Sequence, residues 1–110
     1  MKNMDKSVFR MAFGDSPIIK LIDFLIDSPE FDFSMTEISK ETGISWITLN
    51  KLFPVFEKLG IIMETRQIGR ARMYMINKNS PITRYWISIH TAVVDKYYEA
   101  EETEQAVTTV

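Results

Sequence analysis

The sequence predicts an α+β fold that is mainly helical, and three observations carry that prediction. Residues 34–62, SMTEISKETGISWITLNKLFPVFEKLGII, read as two capped helices separated by a sharp turn at Gly43. Residues 61–76 read as a β-hairpin with Gly69 at its tip. From Pro81 a long last helix carries apolar side chains at spacings of three and four.

Residues 1–14 form an N-terminal arm. Val8, Phe9, Met11 and Phe13 cluster beside Lys2, Lys6 and Arg10. Such a cluster packs on its own domain or on a second subunit. Asp15 or Ser16 caps the next helix, with Pro17 at its first position, where a missing N–H removes no hydrogen bond. Ile18, Ile19, Leu21, Ile22, Leu25 and Ile26 give that helix a wide apolar stripe, and it closes near Ser28-Pro29. Phe31 and Phe33 alternate with Asp32, the pattern of a short extended piece.

Ser34 and Glu37 have the spacing of a capping box. Ile38 is the apolar residue of this short helix, and Ser39 is small enough to sit where two helices cross. Gly43 supplies the backbone freedom that a helix C-terminus needs. Ile44 follows as a buried plug, and Ser45 caps a longer helix ending at Gly60. Leu49, Leu52, Phe53, Phe56 and Leu59 make one face of that helix core. Trp46, Ile47, Asn50 and Lys51 lie off this stripe. Pro54 removes a helical hydrogen bond and crowds the carbonyl of Asn50, which predicts a kink or a break near Leu52.

In the hairpin, residues 61–67 and 71–76 flank Ile68-Gly69-Arg70, for a loop of three to five residues. Tyr74 and Ile76 share one strand face, and Met73 and Met75 share the other. Arg66, Arg70 and Arg72 surround the tip. Ser80 caps and Pro81 opens the last helix, which runs to about Glu102. Ile82, Tyr85, Trp86, Ile89, Val93 and Tyr97 form its stripe, with Ile87 and Val94 off it. Residues 105–110 are a polar tail expected to be disordered.

A short helix, a glycine turn, a second helix with a variegated outer face and then "LGII" leading to a basic hairpin tip resemble the small archaeal and bacterial winged-helix transcriptional regulators. The resemblance covers roughly residues 15 to 80. It implies a winged helix-turn-helix with an added long C-terminal helix, in which Phe31 and Phe33 sit on an edge strand beside the hairpin and Tyr74 and Ile76 face the core. It implies sequence-specific binding of double-stranded DNA, with the helix after Ser45 in the major groove. Ser45 and Thr48 then match phosphate-holding positions, and Thr36 adds a contact from the first helix. Trp46, Ile47, Asn50 and Lys51 match base-facing positions, with Asn50 suited to adenine and Lys51 to guanine. Trp46 and Ile47 depart from the usual arginine or serine. They suit thymine methyl groups, or a protein surface instead. Arg66, Arg70 and Arg72 would meet phosphates or the minor groove, although edge strands also carry charge to prevent sheet aggregation.

Charge distribution agrees with that resemblance. The net charge is −2, but residues 40–84 hold eight basic and three acidic side chains. Residues 1–39 and 85–110 are each net acidic. Phosphate responds to the local field, and the basic segment is the one that holds the second helix and the hairpin. The rival reading is a winged helix that binds another protein and not DNA.

Length predicts one domain, divided as arm 1–14, DNA-binding unit 15–80, dimerisation helix 81–104 and tail 105–110. Tyr85, Trp86, Ile89, Val93 and Tyr97 are the candidate homodimer interface, where aromatic side chains are enriched, and Phe9 and Phe13 would join it. The chain has no cysteine and one histidine, His90, so no metal centre or cofactor is expected. His90 reads as a structural or exposed side chain and not as a pH switch. No Walker loop, Rossmann fingerprint, G-x-S-x-G or H-E-x-x-H occurs, so an enzyme is not expected. No small-molecule ligand is indicated either. No apolar run reaches the ~18 residues of a membrane span, and a cytoplasmic location follows as the expectation.

Overall fold

The computed structural model describes the backbone of residues 6–109 and the side chains of residues 6–104. Lys2 of the arm and Val110 of the tail lie outside the described residues. The elements run α1 (Val8–Phe13), α2 (Pro17–Asp27), β1 (Phe33–Ser34), α3 (Met35–Thr42), α4 (Trp46–Lys58), β2 (Ile62–Ile68), β3 (Ala71–Ile76) and α5 (Pro81–Thr109). The protein is therefore mostly helical, with a small three-stranded antiparallel sheet and a long C-terminal helix.

Local chemistry sets most of the boundaries. Ser7, Ser16, Ser34 and Ser45 each accept a hydrogen bond from a backbone N–H in the first turn of the helix that follows. At Ser34 the box is complete. The Glu37 N–H donates to Ser34 Oγ at 3.1 Å, and the Ser34 N–H donates to Glu37 Oε1 at 2.9 Å. Asp15 does not cap α2. It pairs instead with Lys6 and Arg10, which hold its carboxyl below the usual range.

The turn between α3 and α4 is fixed from both sides. Gly43 sits at φ 77°, in the left-handed region that side chains disfavour. Thr42 Oγ1 donates to the Ile38 carbonyl and accepts from the Ile44 N–H, and Ser39 Oγ donates to the Ile44 carbonyl at 2.6 Å. Ile44 is thereby held inward, at 3% exposure. The turn's polar groups are satisfied while its apolar plug enters the core.

That core joins Leu21, Ile22 and Leu25 of α2, Ile38 of α3, and Leu49, Phe53 and Phe56 of α4 to Ile62, Tyr74 and Ile76 of the sheet. Tyr74 and Ile76 face inward, and the Tyr74 ring meets Phe53 edge-on at 4.8 Å. Met73, on the opposite strand face, is also buried, next to β1. Phe24, absent from the expected stripe of α2, packs on Phe33 at 4.8 Å. Leu59 departs from the expected core stripe. It is the C-cap of α4, and the chain turns there, leaving it 47% exposed. Pro54 does not end the helix, which continues through it to Lys58.

The sheet order is β1-β3-β2. Phe33 and Ser34 pair with Tyr74 and Met73 as an edge strand, whereas Phe31, expected on it too, lies before the strand and is 63% exposed. The hairpin closes tighter than its composition suggested. Ile68 pairs with Ala71, leaving only Gly69 and Arg70 in the loop, with Gly69 at φ 60°. The register shifts between Glu64 and Arg66, so Thr65 is the extra residue of a bulge.

Two expectations about α5 are corrected. The helix does not stop at Glu102 with a disordered segment from residue 105, but continues to Thr109. Ala100, Glu101, Glu102, Glu104 and Ala106 are good helix formers, and no proline or glycine follows Pro81 to end the run. The second concerns Trp86, expected at the subunit interface with Tyr85 and Ile89. Thr83, Trp86, Ile87, His90 and Val94 turn inward, whereas Tyr85 and Ile89 are 72% and 41% exposed. Trp86 is thus partly buried in its own chain. So is Phe9, completely, with ring centroids 6.2 Å from Trp86 and 4.7 Å from His90. Expected to join a subunit interface, Phe9 instead fastens α1 to α5, while Phe13 stays half exposed.

Three polar side chains complete this junction. Asp23 accepts from Ser7 Oγ at 2.8 Å and lies 2.9 Å from His90 Nε2. Ser7 also caps α1, so one chain of hydrogen bonds links α1, α2 and α5. At the start of α5, fully buried Thr83 donates to the Ile61 carbonyl at 3.4 Å.

Candidate nucleic-acid interface

The outer face of α4 follows from its inner one. With Leu49 and Phe53 turned to the core, helical geometry leaves Ile47, Asn50 and Lys51 outside, and Trp46 flanks the core stripe in the first turn of the helix. Trp46 is 50% exposed and Ile47 71%. The Asn50 amide donates to the Trp46 carbonyl at 2.9 Å, which orients it along the helix. Ser45 and Thr48 hydroxyls are 3.1 Å apart at the helix N-terminus.

The hairpin stands beside this face. A cleft of about 460 Å³ opens between them, and Thr36, Trp46, Asn50, Arg70 and Arg72 all line it. Ser34, Met35 and Tyr74 complete its walls. Arg72 shares a strand face with Tyr74, two residues on, and this alternation turns the guanidinium toward α4. A hydrogen bond to the Tyr74 side chain and the field of Glu64 raise the Arg72 pKa further.

Arg66 is not in this cluster. Its guanidinium makes a two-pronged pair with Asp32, at 2.8 and 3.0 Å. Thr65 Oγ1 donates to the same carboxylate at 2.5 Å. The bulge lets two consecutive residues of β2 reach one acid beside β1, across the central strand. Together Arg66 and Thr65 hold the Asp32 pKa down from 3.8 to about 2.

Of the ten candidate DNA-contacting residues, five meet at the cleft. Ser45, Ile47, Thr48 and Lys51 lie on the adjoining α4 surface, and Arg66 is paired elsewhere. Sequence reasoning missed Tyr74 as a partner of Arg72, although their two-residue spacing carried that signal. It also missed Asp32, whose pairing depends on strand order and a bulge.

No protein-family model matches the chain, and no curated protein sequence matches it. A solved structure described as a possible transcriptional regulator from Methanosarcina mazei Go1 is similar in fold, with a TM-score of 0.53 at 13% identity. The match covers 90% of this chain and 83% of that one. At that identity the likeness concerns the fold. No described helix is long and apolar enough to cross a membrane.

Proposed function

We propose that this chain is a winged-helix regulator of transcription that binds double-stranded DNA in a sequence-specific manner and works as a homodimer. The observation that carries the reading is the cleft. It brings Trp46 and Asn50 of α4 together with Arg70 and Arg72 of the hairpin on one exposed face. A reading helix in the major groove would set Asn50 and Lys51 against base edges, while the hairpin arginines take the flanking backbone or the minor groove. Ser45, Thr48 and Thr36 would hold phosphates near helix N-termini. Ile47 and Trp46 would meet thymine methyl groups. Arg66, offset by Asp32, contributes least.

A second reading has one observation in its favour. Trp46 and Ile47 place a large apolar surface on the same outer face, which would suit a protein partner. Selection of bound duplexes from a random pool separates the two. The DNA reading expects a short recurring motif, and a pool that remains random after repeated rounds would favour the protein partner.

A further inference from the structure

The structure leaves one apolar strip uncovered, away from the proposed DNA face. On α5, successive residues turn by about 100°, which places Ile82, Tyr85, Ile89 and Val93 along one line beside the buried face. Tyr85, Ile89 and Tyr97 are exposed, and Val93 is half-buried. Alongside runs a groove of about 780 Å³, lined by Val8, Met11 and Ala12 of α1 and by Ala92, Val93, Lys96 and Tyr97 of α5. Met11 and Phe13 add exposed apolar surface on α1, at 52% and 49%. This is more contiguous apolar area than scattered surface residues explain.

Charge says what covers it. Residues 78–91 contain Lys78 and Arg84 and no carboxylate. Residues 92–104 contain Asp95, Glu99, Glu101, Glu102 and Glu104 against a single lysine, Lys96. Two α5 helices side by side in parallel would set acid against acid. In antiparallel they set the acidic half of each beside the basic half and the positive N-terminus of the other. The apolar residues fit one such register. Centring the pair near Thr91 puts Ile89 opposite Val93, Tyr85 opposite Tyr97 and Ile82 opposite Ala100, so every apolar position meets another.

We infer that the α1–α5 groove is filled by α5 of a second copy of this chain, packed antiparallel about a two-fold axis near Thr91. This rests on the homodimer of the proposed function and adds its orientation and register. Trp86, turned inward onto Phe9, is not part of the contact. The partner helix lies on Tyr85, Ile89, Val93 and Tyr97, with Met11 closing over it.

The natural chain has no cysteine, so single cysteines report orientation directly. Tyr85→Cys and Tyr97→Cys chains, each made separately, are mixed and mildly oxidised. The antiparallel register yields a mixed disulfide between the two variants, with little disulfide in either alone. In that register two copies of residue 97 stand about 18 Å apart along the helix, at 1.5 Å per residue. Efficient disulfides within each variant alone would mean a parallel pair and overturn the orientation. A monomeric mass for the unmodified protein by light scattering at tens of micromolar would overturn the pairing altogether. Duplex binding by that monomer would still leave the DNA reading standing, so the two failures are distinguishable.

Discussion

The α3–α4 unit and the outer strip of α5 are built on opposite principles. At the α3–α4 turn, Ser34, Glu37, Ser39, Thr42 and Ser45 satisfy local backbone groups, and Ile38, Ile44 and Leu49 are buried. Its shape is determined within one chain. Along α5, Thr83, Trp86 and His90 are held by the domain, but Tyr85 and Ile89 meet nothing in their own chain that hides them. The turns that hold Thr83, Trp86 and His90 against the domain carry this outer strip on their other side. The difference teaches that the first region positions a surface and the second presents one.

Truncation should separate them most widely. Leu49→Ala removes a fully buried side chain between α4 and the core and should cost about 2–5 kcal/mol. Tyr85→Ala, at a position 72% exposed, should change the stability of the monomer by less than ~0.5 kcal/mol. Urea unfolding of both at a concentration where the protein is monomeric checks the contrast. Similar losses would mean that α5 has a tertiary role the contacts do not reveal.

The next effect sharpens the claim that the α4 surface reads bases. Asn50→Ala and Lys51→Ala should each relax preference at particular base pairs by about 1–3 kcal/mol. Unfolding midpoints should barely move, because both side chains are exposed. Competition binding against single-base variants of a selected duplex measures this. Uniform loss across all duplexes would reassign both residues to phosphate contacts.

Much of the first region was legible in the sequence because its determinants are local. Capping serines, Gly43 and the Leu49-Phe53-Phe56 stripe are set by residues within a few positions of each other. The second region was less legible. The apolar residues of α5 span more than one face, and periodicity alone merges the face that meets Phe9 with the one left outside. Trp86 was therefore grouped with Tyr85 and Ile89. Arg66 and Asp32 are 34 positions apart, and only strand order and the bulge at Thr65 bring them together. The cleft itself was foreseeable as residues but not as a shape.

The smallest effect concerns that ion pair. Asp32 has a folded pKa near 2, below its ordinary 3.8. A depressed carboxylate stabilises the fold above the unfolded value, and that contribution fades as pH falls from about 3.8 toward 2. Asp32→Asn should therefore narrow its stability gap from the natural protein across that window and show a small constant gap above it. The same variant releases Arg66 and should steepen the salt dependence of duplex binding by about one phosphate contact. An unchanged salt slope would show that Arg66 faces away from the backbone even when freed.

Salt dependence is also the most direct measure of the proposed DNA face. Duplex affinity of the natural protein should fall linearly on a log–log plot against salt, with a slope of about −0.9 for each phosphate contacted. Arg70→Ala with Arg72→Ala should weaken all duplexes alike and make that slope shallower by about two contacts. Undetectable duplex binding at low salt, or a slope untouched by losing both arginines, would contradict the assignment of this surface to DNA.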